Sequence, residues 1–302
     1  MTRPASNDAL IRAMPAVFVL IWSTGFIVAK YGLPYAPPLS FLAIRYALSL
    51  LCFIAWIVIS RVAWPASRVQ WLHLAVTGIL IHAGYLSGVW SAIKGGMGSG
   101  LSALVVGLQP VLTAVWVSRM GDSSQAESRV SARQWLGLVL GLAGLLLVVS
   151  RKFGAGNEAT PYTLGFAVFA LLCITAGTLY QKRFVRSADV RSANAIQLGA
   201  ALLVTLPFAL LETEPVQWTG GFVGALAWSV LGLTLGGSSL LYMLIQRGAA
   251  TAVTSLLYLV PPTTALMAWL LFSEAITVVT VAGTALTALG VSLVVRPAKT
   301  PS

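Results

Sequence analysis

Ionisable side chains deep inside apolar runs are where this 302-residue sequence could do chemistry, and Arg45 and His82 stand out. Arg45 lies in PPLSFLAIRYALSLL, about six residues into its run, so ~9 Å from the nearer end of a helix. A guanidinium at that depth can hold a carboxylate through two parallel hydrogen bonds. The competing account is that it snorkels to the headgroups or pairs with a backbone carbonyl. His82, in GILIHAGYLSGVW, falls near the middle of its run. Neutral, it can orient a polar solute; protonated, it could couple movement of that solute to a proton gradient. An ordinary interhelical hydrogen bond explains it equally well.

Aromatic and amide groups add to this set. Tyr85 and Trp90 follow His82 by three and eight residues, on roughly the same helical face. They would stack a solute there, although interfacial anchoring also accounts for Trp90. The Gln109 amide can replace hydrogen bonds that a solute loses on leaving water. Trp22 sits mid-run, where cavity lining and plain packing compete. Tyr180, Tyr242 and Tyr258 are weaker candidates of the same kind, and Glu274 fits a structural cap or loop contact better than a coupling carboxylate. No Ser-His-Asp grouping, metal-ligand cluster or phosphate loop is present, so the expectation is no catalytic residue, no metal and no cofactor.

Composition says what must position these groups. The chain is 58% hydrophobic and 9% charged, with mean hydropathy +0.87. A soluble domain carries about 25% charged residues, so this is an integral membrane protein whose first partner is the lipid bilayer. The net charge of +11 does not point to nucleic acid, because the basic residues are scattered through links and form no run. Cys52 and Cys173 lie in apolar runs without zinc or redox spacing. MTRPASNDALIRAMPAVFVLIW has no small-residue cleavage site and reads as an uncleaved first span.

A spanning helix needs ~20 apolar residues. Charge-free runs at 13–29, 46–60, 69–93, 95–118, 134–150, 159–181, 192–211, 215–246, 248–273 and 275–295 predict ten, the second extended back through Arg45 to Leu39. The polar link 119–133, with GDSSQAESRVS, reads as a flexible loop. Two spans carry helix breakers: Pro110 after Gln109 in the fourth, and Pro261 with Pro262 in the ninth. A helix proline removes a backbone hydrogen bond, a defect tolerated in a membrane only against protein or a water-filled cavity. The two broken spans are expected to face each other across a central pathway.

Lysine and arginine orient the chain. With the N-terminus inside, cytoplasmic links hold 14 of them and outer links 4, the latter being Lys30, Lys94, Arg151 and Lys152. Both termini are therefore expected in the cytoplasm. Ten spans with recurring features predict two five-helix halves, 12–150 and 151–296, of opposite orientation. Lys30 of IVAKYG answers Lys182 of LYQKRF, Arg45 answers Gln197, and Gly137 and Gly144 answer Gly283 and Gly290. The expected fold class is thus an all-α integral membrane protein of ten transmembrane helices in two inverted repeats, the architecture of alternating-access carriers. In such a design Lys30 and Lys182 would act at opposite mouths.

The segments IWSTGFIVAKYG, PPLSFLAIRYALS, SALVVGLQPVLTAV and SLLYLVPPTTALMAWLLFSEAITVVTVAGTALTALG resemble the drug/metabolite transporter superfamily, EamA family, over roughly residues 17–295. The first half departs from the pattern where Gly121-Asp122 stands in place of Ser273-Glu274. The resemblance implies a carrier of the bacterial inner membrane, multi-pass, with a cavity lined mainly by helices 1, 3, 4, 6, 8 and 9. It implies export of amino acids or similar amphipathic small molecules, although related families carry other solutes. An importer of another solute, an intramembrane enzyme acting on lipids and a channel are the alternatives, and oligomeric state stays open.

Overall fold

Helix after helix forms where the apolar runs predict, and the helix starts are written in the residues beside them. In a computed structural model, residues 5–120, 132–152, 159–185, 188–240 and 259–295 are described; among them no strand occurs. The helices are α1 (Ala5–Gly32), α2 (Pro38–Ile59), α3 (Arg68–Lys94), α4 (residues 99–120), α5 (Ala132–Lys152), α6 (Pro161–Phe184), α7 (Val190–Ala209), α8 (Gly220–Leu240), α9 (Val260–Phe272) and α10 (Val278–Val295). Five of these, α2, α3, α6, α7 and α8, are long and apolar enough to cross a membrane, and shorter apolar stretches occupy the others. The link 121–131, Tyr242 and Tyr258 lie outside the described residues.

Caps explain several boundaries. Thr160 precedes Pro161 and exchanges hydrogen bonds with Thr163 in a capping box, so α6 starts where an orphan donor finds an acceptor. Thr219 accepts from the Phe222 backbone at the start of α8. Asp189 accepts from the Arg191 backbone and side chain, and the Arg191 guanidinium holds that carboxyl below its usual range. Helix α2 begins at Pro37-Pro38 with no cap of its own. Glu212, after α7, supplies one: its carboxylate accepts from the backbone N–H of Leu39 (3.0 Å) and Ser40 (2.7 Å).

Both proline sites differ from simple mid-helix breaks. In α4 the segments Ser99–Val106 and Gln109–Met120 are joined by a tight turn at Gly107-Leu108, and Pro110 falls in the first turn of the second segment. Pro261 and Pro262 are likewise at the start of α9. Proline is tolerated there because its missing N–H would have no intrahelical partner. The turn before Pro110 packs directly on the second site: a Cβ on Gly107 would lie 2.9 Å from the Pro261 ring.

Small residues let backbones touch, which is how helices associate without a hydrophobic drive between them. One such seam joins α5 to α10. A Cβ on Gly144 would meet the Gly283 carbonyl at 2.4 Å, and one on Gly290 would meet the Gly137 carbonyl at 2.4 Å. Gly78 of α3 is pressed on the Gln197 backbone of α7 in the same way. Between them lies a core of Phe41, Trp90 and Phe222, with the Phe41 and Trp90 rings 4.3 Å apart. Links 33–37, 95–98, 210–219 and 273–277 gather on one face: Gln217 donates its backbone N–H to Tyr35, and Lys94 pairs with Glu214. The opposite face carries Trp64 stacked on Trp71, and His73 with Tyr180.

Candidate functional site

Polar groups buried among apolar helices converge where α2 crosses α7, flanked by α3 and α8. Arg45 is only 8% exposed, and its Nε and Nη2 both donate to the Thr234 hydroxyl of α8, at 3.2 and 3.1 Å. Thr234 donates in turn to the Ser229 carbonyl at 2.8 Å. On the other side, the Tyr46 hydroxyl donates to the His82 carbonyl of α3 at 2.8 Å, and the Gln197 amide of α7 approaches the His82 ring. Tyr85 is buried beside them.

Both flanking helices are wound more widely at this level. Residues Ile79–Gly84 of α3 and Trp228–Gly236 of α8 are π-helical. Wide turns of this kind recur at functional sites because they re-aim side chains and backbone carbonyls. Here one holds His82 and the other Thr234. These two residues are separated by 152 positions, as are Arg45 and Gln197, and Lys30 and Lys182. The partners in the observed contact of Arg45 with Thr234 are thus carried by that offset onto Gln197 and His82.

Other sequence candidates go elsewhere. Trp90 is 1% exposed, its ring against Phe41 in the apolar core. Trp22 is half-buried on α1 with its ring 5.4 Å from Phe18. The Gln109 amide donates to the Thr178 hydroxyl of α6 at 3.1 Å, bridging the broken helix to its neighbour. Tyr180 lies near the far end of α6, 2.8 Å from His73 Nδ1 and beside Phe184, so it does not join the Arg45 cluster.

At the link-bearing face, Lys30 pairs with Glu274 at 2.7 Å. The same carboxylate accepts from the backbone of Ser99 (3.0 Å), so it caps α4 while tying it to α1 and α9. Lys182 is exposed at the end of α6 without an ion-pair partner among the described residues. Asp122, which stands where a counterpart of Glu274 would, lies outside them. A small cleft lined by Gly100, Leu104, Val148, Ala265, Glu274 and Thr284 opens between α4 and α10, away from Arg45.

Sequence reasoning missed Tyr46, Thr234 and His73 as contact residues. For Thr234 a signal existed, because the offset linking Arg45 to Gln197 also carries His82 onto it. No comparable signal marked His73.

The model of the EamA-like transporter family matches this chain twice, over residues 13–150 and 162–296. The chain belongs to the EamA-like transporter family. This EamA-like protein is thus a membrane transporter and not an enzyme. It is 24% identical to the uncharacterized transporter YvbV of Bacillus subtilis, over 96% of this chain and 92% of that one. It is 28% identical to a probable amino-acid metabolite efflux pump of Salmonella typhimurium, over 64% of this chain and 60% of that one. The inner membrane transporter YedA of Escherichia coli, also uncharacterized, is 25% identical over 83% of this chain and 79% of its own. One solved crystal structure shares the fold, with a TM-score of 0.64 at 19% identity, covering 95% of this chain and 97% of that one.

Proposed function

We propose that this EamA-like protein is a secondary transporter that exports amino acids or similar amphipathic metabolites across the bacterial inner membrane by alternating access. Its ten spans form two inverted five-helix halves, 12–150 and 151–296. The observation that carries this reading is reciprocity. Gly144 meets Gly283 while Gly290 meets Gly137, so the contact exchanges between the halves. Contacts that exchange when the halves exchange are what a two-fold axis in the membrane plane produces. Two related halves can swap conformations about such an axis, opening the central cluster to each side in turn. Counterflow of labelled amino acids in proteoliposomes tests the activity. Trans-stimulated uptake is expected, and its absence for every amphipathic metabolite tried sinks the reading.

Both termini lie in the cytoplasm in this reading, from the 14-to-4 distribution of basic residues. The face bearing Glu274 is then periplasmic. In a background lacking Cys52 and Cys173, Gly156→Cys should react with an impermeant thiol reagent added outside, and Ser124→Cys should not. The reverse pattern would overturn the orientation.

His82 is the proposed site of proton coupling, because its ring stands inside the cluster, 6.2 Å between ring centres from Tyr46 and approached by Gln197. His82→Ala should lower transport and flatten its dependence on external pH. An unchanged pH profile would return His82 to a packing role.

A further inference from the structure

Arg45 is a cation without a counter-ion among the described residues. It is more than nine-tenths buried, and its described partner is a neutral hydroxyl. The whole chain has eight acidic residues, and all of them lie outside the apolar runs. Glu212 comes near along α2, but its two oxygens are taken by Leu39 and Ser40, one and a half turns or roughly 8 Å further out. Removing a full charge from water without compensation is among the costliest arrangements a fold can hold. Among the described residues no carboxylate is positioned to relieve it.

More unused donors sit beside it. Ser49, one turn along α2 on the same face, is fully buried and its hydroxyl has no hydrogen-bond partner among the described residues. Ser229, one wide turn before Thr234 on α8, is in the same condition. Thr234 fixes Nε and one N–H of Nη2, leaving three of the five guanidinium hydrogens unassigned. Thr234 therefore acts as a bracket that sets the plane of the fork. Among the described residues the neighbourhood offers a cation and hydroxyl donors, and no anion.

We infer that Arg45, braced by Thr234 and flanked by Ser49 and Ser229, is the binding site for the carboxylate of the transported solute. This rests on the transporter reading and deepens it: the cargo is an organic acid or amino acid, not a neutral or purely cationic molecule. The solute's own charge replaces the missing counter-ion, so binding is strongest for a planar carboxylate that accepts two parallel N–H bonds. The other half offers the Gln197 amide at the equivalent place, so the duplicated architecture binds charge on one side only. A solute with one carboxylate and a neutral or apolar remainder fits that asymmetry.

The test is thermal stabilisation of purified protein in nanodiscs by matched pairs: benzoate and benzamide, phenylalanine and its primary amide, leucine and its primary amide, with sodium chloride and inorganic phosphate alongside. In the wild type at least one carboxylate should bind about tenfold or more tighter than its amide, and Arg45→Gln should bring that ratio close to one. Should Arg45→Gln fail to fold, Thr234→Val keeps the charge and loosens the bracket; it should weaken carboxylate binding several-fold and leave amide binding alone. A discrimination that survives Arg45→Gln, or for an unfolded variant survives Thr234→Val undiminished, overturns the inference. So does the absence of stabilisation by every carboxylate. Equal stabilisation by chloride or phosphate marks an adventitious ion only, and also overturns it. Counterflow separates the two levels: transport of a solute with no carboxylate preference sinks this inference alone, whereas no transport at all sinks the reading beneath it.

Discussion

Gly290→Leu is expected to abolish the folded protein. A Cβ at this position would stand 2.4 Å from the Gly137 carbonyl and 2.4 Å from the Gly141 backbone nitrogen, and neither is a flexible side chain that could move aside. Helices α5 and α10 would have to separate along the seam, losing the close backbone approach at Gly144 and Gly283 as well. Overpacking a well-filled interior costs roughly 1–3 kcal/mol; two helices forced apart along their length should exceed that range. The measurement is fluorescence-detected size exclusion of a fusion protein. Gly290→Leu and Gly144→Leu should both lose the monodisperse peak. Gly165→Ala, where nothing lies within 4 Å of the added carbon, should keep it. A monodisperse Gly290→Leu protein with unchanged melting would mean the seam is not close-packed.

Glu274→Ala should cost about 1–3 kcal/mol and bias the molecule toward an outward-open state. The side chain is 9% exposed and makes two kinds of contact at once. It accepts a charge-assisted hydrogen bond from Lys30, worth about 1.5–3 kcal/mol when shielded and less here, because Lys30 is 34% exposed. It also caps α4, a contact of about 1 kcal/mol. The Lys30 ammonium, 5.2 Å from the centre of the Phe272 ring, reinforces the same junction of α1 with α9. In the proposed alternating-access reading these contacts form only when the outer mouth is closed, and such contacts shift the population only by their own differential energy. Lys30→Ala should therefore shift it outward by a few-fold, and Lys182→Ala should shift it inward. Labelling of a reporter cysteine at each mouth reads both. Shifts in the same direction, or none, would remove the gate assignment and leave Glu274 as a cap.

How much of this was legible beforehand depended on the kind of force involved. The bilayer demands long apolar stretches, so the runs at 39–60 and 192–211 foretold α2 and α7 within a few residues. The run at 159–181 likewise placed the start of α6, where the structure adds the Thr160 capping box. Contact partners were harder. Trp90 suits stacking on a solute and packing on Phe41 equally, and only the fold decides for the second. Tyr180, a weaker cavity candidate, stands in the last turns of α6 against His73 and Phe184. The π-helical turns left no trace in the residues. One extra residue in a helix apolar on every side breaks no pattern. Yet those turns are what bring Thr234 to Arg45 and His82 to Tyr46.

The α5–α10 seam bears on how the molecule is made. Helix α5 leaves the ribosome more than a hundred residues before its partner, a delay on the order of ten seconds at ordinary synthesis rates. Throughout that interval its glycine groove has only lipid against it, and lipid tails cannot interlock with exposed backbone as Gly283 and Gly290 do. Assembly is thus completed by the arrival of α10, and a chain interrupted before residue 278 carries an open groove.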